Sequence, residues 1–360
     1  MRRSTERYRG ALLHHSRWSD LGFHSRQLAS EHFTTVFPGY RTLTDHPATL
    51  NAMAWVLQNR VEAGAVLSHT TAALFWAIPF PLALDDGIAA LRDRDLVERN
   101  GVEQIPSLPA DASLRLGAHL PMLHARVARG GSSGVAQGAV LHRQHPGPTA
   151  DLGPLVVSAP SEVLRELATM MPLWDVVAAA DAVLGPGSRS PGESLESLTG
   201  AVASARGRAG TPHALDALRL ARRRVRSPGE TIFRLLLARA GFPAPSLNLP
   251  VRVPLTGSIK EIDLAWEEIG FGLEYDGDGH RLTKGQWRED EVRRDELASS
   301  GWTLSRANGK DLFRPLRILL RLRRTMAERG LRVPEEQRVR RVVDEVGARG
   351  LSMRIARRQR

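Results

Sequence analysis

Three carboxylates and a histidine, Asp263, Glu274, Asp276 and His280, lie within one short stretch of the C-terminal half. The runs Ile262-Asp263-Leu264-Ala265-Trp266 and Gly272-Leu273-Glu274-Tyr275-Asp276-Gly277 read as two adjacent strands. Alternation puts Glu274 and Asp276 on one face of the second strand, and a hairpin partner brings Asp263 beside them. Three converging oxygen donors repel one another unless a hard cation or a shared proton neutralises them. Asp263, set between Ile262 and Leu264 in an apolar strand, is costly to bury without a partner. With only oxygen donors, no cysteine and no clustered histidine in the sequence, the expected ion is Mg²⁺ or Mn²⁺ and not zinc.

Other residues have both a chemical and a structural reading. In Ser227-Pro228-Gly229-Glu230 the Glu stands three residues after a Ser N-cap with Pro at the first helical position, which completes a capping box. The same Glu230 is also placed to act as an accessory carboxylate. Asp290 and Arg293, three apart on one helix, form either an ordinary surface pair or a support for the carboxylates in which Arg293 grips phosphate bidentately. Ser68-His69-Thr70-Thr71 pairs a hydroxyl with an imidazole, but neighbours at a helix start seldom face one another, so Ser68 is expected to cap the helix. Trp76, Trp266 and Trp302 fall at element-forming apolar positions and are expected in the core.

The elements that must position these groups are clearest after Ser227. A helix over 228–240, strands near 247–253, 259–266 and 270–276, a helix over 284–299, a strand at 302–306 and a final helix from Asp311 give the order α-β-β-β-α-β-α. Upstream, residues 158–226 read as helical, with helices at 163–171 and 174–184. Residues 86–157 read as mixed, with strands at 113–116 and 135–142. Residues 1–85 hold short helices, a strand at 37–41 and helices at 48–61 and 70–77. The resulting division is 1–85, 86–157, 158–226, 227–330 and an Arg-rich tail at 331–360.

At 360 residues and 42% hydrophobic content the chain can bury a sizeable core. The absence of cysteine excludes disulfides, thiolate metal sites and a cysteine nucleophile, and it suits a reducing cytoplasm. No apolar stretch of signal-peptide type follows the basic N-terminus. The segment 64–84 lacks Asp, Glu, Lys and Arg, but Ser68-His69-Thr70-Thr71, Pro79 and Pro81 interrupt it, so it reads as a buried helix and loop and not as a membrane span. The formal charge of +11 is concentrated at the C-terminus, where 314–360 carries fifteen Arg against five acidic residues. That is an electrostatic footprint expected for nucleic acid. It is also what a GC-rich genome yields, since the chain has 47 Arg and 3 Lys. Arg281, Arg293, Arg323 and Arg324 are the side chains expected to meet phosphate.

Residues 227 to about 325 resemble actinobacterial domains related to the very-short-patch-repair endonuclease, a branch of the PD-(D/E)XK superfamily. The resemblance rests on Ser227-Pro228-x-Glu230, Gly241-x-Pro243, Asp263-Leu264-Ala265-Trp266, Glu274-Tyr275-Asp276-Gly277 with His280-Arg281, Asp290-x-x-Arg293 and Gly301-Trp302. It implies an α+β or α/β chain with a restriction-endonuclease-like core of order α-β-β-β-α-β. It also implies a divalent metal on Asp263 and Glu274 and hydrolysis of DNA phosphodiesters. Asp276 stands where the superfamily usually keeps Lys, so a second cation, a protonated carboxylate or His280 as general acid or base must compensate. The competing role for His280 is a turn residue in the bend that follows Asp276. Val36-Phe37-Pro38-Gly39-Tyr40 and the run from Val66 to Trp76 are similar to the winged-helix start of AbiEi-type antitoxins. That start is degenerate here, with room for one helix between Arg17 and Tyr40. A non-catalytic DNA-binding regulator on a pseudo-nuclease scaffold is therefore the competing function.

Overall fold

The computed structural model describes residues 6–81, 123–128, 138–143, 146–190, 192–254, 256–276 and 284–349, without side chains at 6, 284–290 and 347–349. The strand expected at 113–116, together with His280 and Arg281, lies outside the described residues, as does the side chain of Asp290. The chain forms two compact units with a mixed α/β architecture. One comprises Met1–Thr169 with Ala201–Thr211, the other Met170–Gly200 with Pro212–Arg360. The helices of 158–226 are thus shared between the two units.

The first unit opens with β1 (Leu13–His14), α1 (His15–Asp20), α2 (Ser25–Leu28), β2 (Phe33–Phe37) and β3 (Tyr40–Leu43), its strands ordered β1-β3-β2. Two short helices therefore fit where the sequence suggests one. Trp18 organises them: its ring meets Phe23 and Phe33 edge-on at 5.3 and 5.1 Å, and its Nε1 donates to Arg41 O at 2.9 Å. The strand expected at 37–41 is instead a hairpin. Phe37 ends one strand and pairs with Tyr40, so Pro38 and Gly39 form the turn. Gly39 takes φ +78°, the value needed at the second central position of a turn with Pro before it.

The same unit continues with α3 (Leu50–Val56, prolonged as a wider turn over Leu57–Val61), β4 (Val66–Leu67), α4 (His69–Trp76), β5 (Leu123–Val127), β6 (Ala139–Arg143), β7 (Thr149–Leu152), β8 (Leu155–Ser158) and α5 (Pro160–Leu167). The five strands are ordered β6-β5-β4-β8-β7. The charge-poor segment supplies α4, which is buried along nearly its whole length. No described helix is long and apolar enough to cross a membrane.

The second unit holds α6 (Leu173–Leu184), the first turns of α7 (Leu195–Ser204), most of α8 (Thr211–Leu220), α9 (Pro228–Ala240), β9 (Ser246–Arg252), β10 (Ile259–Trp266), β11 (Phe271–Asp276), α10 (Lys284–Ser299), β12 (Thr303–Asn308), α11 (Gly309–Phe313), α12 (Leu316–Glu328) and α13 (Glu336–Arg349). Its sheet runs β12-β11-β10-β9, with β11 antiparallel to β10 and parallel to β12. Phe233, Leu237, Leu264, Trp266, Leu273, Leu319 and Met326 fill the core between sheet and helices. Trp266 is buried there with its Nε1 donating to Pro243 O at 3.0 Å, and Gly241 ends α9 in the left-handed conformation at φ +88°. Gly229 lets α9 lie directly on β11, because a Cβ there would stand 2.0 Å from the Tyr275 ring. The Arg-rich tail expected over 331–360 needs correcting. Over 336–349 it is helix α13, whose Val339, Val342 and Val346 belong to the same core.

Candidate functional site

Strand register brings Asp263 and Glu274 together. Leu264 pairs with Leu273, so one step outward Asp263 faces Glu274 across β10 and β11. On its other side Asp263 lies opposite Asn248, between the pairs Ile262 with Leu249 and Leu264 with Leu247. Asn248 holds φ +42°, a left-handed conformation that Asn tolerates better than most residues. This kink aims its amide at Glu230 Oε2, 2.8 Å away.

Glu230 is both cap and neighbour. Ser227 Oγ accepts from the Glu230 N–H at 3.2 Å and donates to Glu230 Oε1 at 2.9 Å, while Oε2 accepts from the Arg226 N–H at 3.1 Å. Ser227 caps the helix as expected, but the box is not closed, since Glu230 takes the Arg226 N–H and not that of Ser227; the Glu230 charge lies close enough to act on Asp263. The Asp263 carboxyl is pushed up to about 7, by burial first and then by Glu230 and Glu274, against the opposing effects of the Tyr275 N–H and Arg293.

Among the described residues Asp263, Glu274 and Asp276 do not form a group in which one oxygen of each lies within 4.8 Å of the others. Asp276, at the strand end, pairs in register with Asn308 of β12 instead. Glu274, 6% exposed, faces two guanidiniums: Arg293 Nη1 stands 2.6 Å from Oε1, and Arg306 Nε 3.7 Å from Oε2. The Arg293 approach is poorly aligned, so Oε1 is buried with an ion pair but no hydrogen bond. Arg293 also donates through Nη2 to Glu261 O at 2.5 Å, so it serves the protein where phosphate contact was expected. Arg323 likewise donates to Pro334 O at 2.8 Å, and Arg324 pairs with Glu328 one turn on.

Sequence reasoning passed over the Arg222-Arg223-Arg224-Val225-Arg226 run. With Glu193, Asn248 and Glu261, Arg223, Arg224 and Arg226 line a cleft of about 500 Å³. Arg226 pairs with Glu261 at 2.5 Å, whereas Arg223 and Arg224 are exposed and have no carboxylate partner among the described residues. The signal was a basic run ending at the cap of the helix that carries Glu230.

The first unit holds a second cluster. His69 of α4, His124 of β5 and His142 of β6 have ligand atoms that all lie within 4.8 Å of one another, a group able to hold a metal ion. The His69 and His142 rings stack at 3.6 Å, and His124 Nδ1 lies 2.9 Å from His142 Nε2. Burial, followed by its two histidine neighbours and then Arg165 and Arg126, pushes His69 down to about 2. Burial and His124 push His142 down to about 4. The cap expected of Ser68 is absent. Its Oγ lies 2.9 Å from His69 Nδ1, so these sequence neighbours do face each other, and Glu166 Oε2 accepts the His69 N–H at 2.9 Å in place of a Ser cap. Burial raises Glu166 to about 7 despite that bond and the Arg126 charge. Burial also acts to raise Glu162, but Arg165, Arg208 and Arg126 outweigh it and hold the carboxyl below its usual range. The histidines are too far apart in sequence to form a ligand motif, so only the sheet reveals them.

The chain is similar to two proteins of Mycobacterium tuberculosis: uncharacterized protein MT2308 of strain CDC 1551 / Oshkosh and uncharacterized protein Rv2248 of strain H37Rv. Each is 28% identical over 149 residues, which is 41% of this chain and 53% of the relative. The chain thus spans about half the length of the curated relatives it matches, and the relationship to these actinobacterial proteins is distant. No family model and no solved structure matches the chain.

Proposed function

We propose that the second unit is a restriction-endonuclease-like domain that hydrolyses DNA phosphodiester bonds with a divalent hard cation. The observation that carries this reading is the Asp263 and Glu274 pair: a buried carboxyl raised to about 7 facing a buried carboxylate oxygen that has no hydrogen bond. Such a pair fits a hard cation, because carboxylate oxygens are the donors that Mg²⁺ or Mn²⁺ takes. Asp263 and Glu274 would hold the ion, with Asp276 and His280 flanking them along the chain. The bound ion supplies charge neutralisation at the scissile phosphate. The Tyr275 N–H orients Asp263, and Arg293 and Arg306 bring the positive charge that a lysine at 276 would have brought. The element order and the parallel β11–β12 pair support the fold assignment. Arg223 and Arg224 hold the DNA backbone at the cleft, where their charge positions substrate without reading sequence.

Nicking of supercoiled plasmid tests this. The wild type nicks with Mg²⁺ or Mn²⁺ and stops in excess chelator, and Asp263→Asn and Glu274→Gln are inactive while folded by circular dichroism. A folded wild type that binds DNA and never nicks it sinks the enzyme reading.

One observation favours the competing regulator. Arg293 already neutralises Glu274 from within the fold, as a scaffold without a metal would require. In that reading the two short N-terminal helices and their hairpin, similar to a winged helix, supply the DNA contact.

A further inference from the structure

A buried core position is ordinarily filled by an aliphatic or aromatic side chain, since imidazoles taken from water lose hydration that they must recover through partners. Two buried imidazoles, His69 and His124, meet the partly buried His142 here. His69 sits at φ +50°, a left-handed backbone that is strained for a non-glycine residue. It is held there by a buried carboxylate, Glu166, on its N–H, and Glu166 is itself fixed by Ser158 Oγ at 3.0 Å and Arg126 Nε at 3.7 Å. Ser68 Oγ engages the ring at Nδ1, which leaves Nε2 as the nitrogen for a further partner. Hydrogen bonding of one ring nitrogen is how metal-ligating histidines have the other oriented.

We propose that His69, His124 and His142 form a zinc site in the first unit, independent of the carboxylate pair of the second. Two nitrogens on one tetrahedral zinc, each at roughly 2.0–2.1 Å, stand about 3.3 Å apart. His124 Nδ1 and His142 Nε2 are 2.9 Å apart, so a few tenths of an ångström of opening admits the ion between them. The His69 ring, now stacked on His142, turns out of the stack to present Nε2 as the third ligand. Three imidazoles without a thiolate suit zinc and not magnesium, and three protein ligands leave the fourth position to an exchangeable water.

The test is metal titration of the full chain after dialysis against chelator, with Co²⁺ as a visible probe and Zn²⁺ as competitor. The visible bands of four-coordinate cobalt grow to saturation at one Co²⁺ per chain in the wild type, and Zn²⁺ abolishes them. His124→Asn and His142→Asn abolish the bands, as does His69→Asn, which suits the left-handed backbone. Ser68→Ala, acting only through the His69 ring, weakens binding by about 10-fold. Should His69→Asn or His124→Asn fail to fold, His142→Asn on strand β6 at the sheet edge carries the test. No saturable uptake by the wild type, or bands that persist in the folded histidine variants, overturns the proposal.

Discussion

Asp263 Oδ2 accepts the backbone N–H of Tyr275 at 2.8 Å, which ties the carboxyl of one strand to the backbone of the next, beside Glu274. This bond alone favours the charged carboxylate, yet burial, Glu230 and Glu274 together raise the group to about 7. Because the folded value lies above the ordinary Asp value near 3.9, the folded state binds more protons than the unfolded chain between about pH 4 and 7. Stability from this group is therefore greatest at the acid end of that window and falls as pH rises through it. Chemical denaturation in chelator from pH 5 to 8.5 should show that decline in the wild type and a flatter profile in Asp263→Asn. The variant should be the more stable of the two at pH 8.

Gly229 and Gly200 make a matched pair of helix glycines with opposite surroundings. A Cβ at 229 would meet the Tyr275 ring at 2.0 Å, whereas at 200 nothing lies within 4 Å. Gly229→Ala should lower stability by about 1–3 kcal/mol through overpacking against the strand that carries Glu274. Gly200→Ala should be neutral or raise stability by up to about 1 kcal/mol through helix propensity. Urea melts of the two variants read the difference directly.

Helix α13 makes the C-terminal region two things in succession. Removing 331–360 takes Val339, Val342 and Val346 out of the core, at about 1.5–3 kcal/mol for each buried side chain, so that truncation should leave the second unit unfolded. Removing only 350–360 spares that core and deletes Arg354, Arg357, Arg358 and Arg360. The shorter truncation should melt like the wild type and flatten the dependence of DNA affinity on salt, by about 0.9 in slope for each phosphate that is no longer neutralised.

Arg223→Ala and Arg224→Ala should each weaken binding to all DNA sequences alike and reduce the same slope by about 0.9. Arg323→Ala should leave the slope unchanged, because that guanidinium is engaged with Pro334 O. Fluorescence anisotropy at several salt concentrations separates the two cases.

The second unit was legible where local rules and tertiary structure agree. Ser227-Pro228-x-Glu230 announced α9, and alternation announced β10 and β11, which form as read. The Asp263–Glu274 juxtaposition followed from that hairpin. Arg293 was harder to place, since a helix gives the face of a side chain but not the strand that face meets; it turned out to serve Glu274. Pro38-Gly39 was misread because Phe37 and Tyr40 look like one apolar run until the turn between them is recognised. The histidine cluster could not be read at all. Its members come from a helix start and two neighbouring strands, and only pairing of β5 with β6 sets His124 beside His142.

Binding of Mn²⁺ to the purified chain, counted by electron paramagnetic resonance, tests the carboxylate pair most directly. One Mn²⁺ per chain that Mg²⁺ displaces, lost in Asp263→Asn and Glu274→Gln and retained in His142→Asn, is the expected result. A wild type with no saturable Mn²⁺ site, or a site that survives in both carboxylate variants, contradicts it.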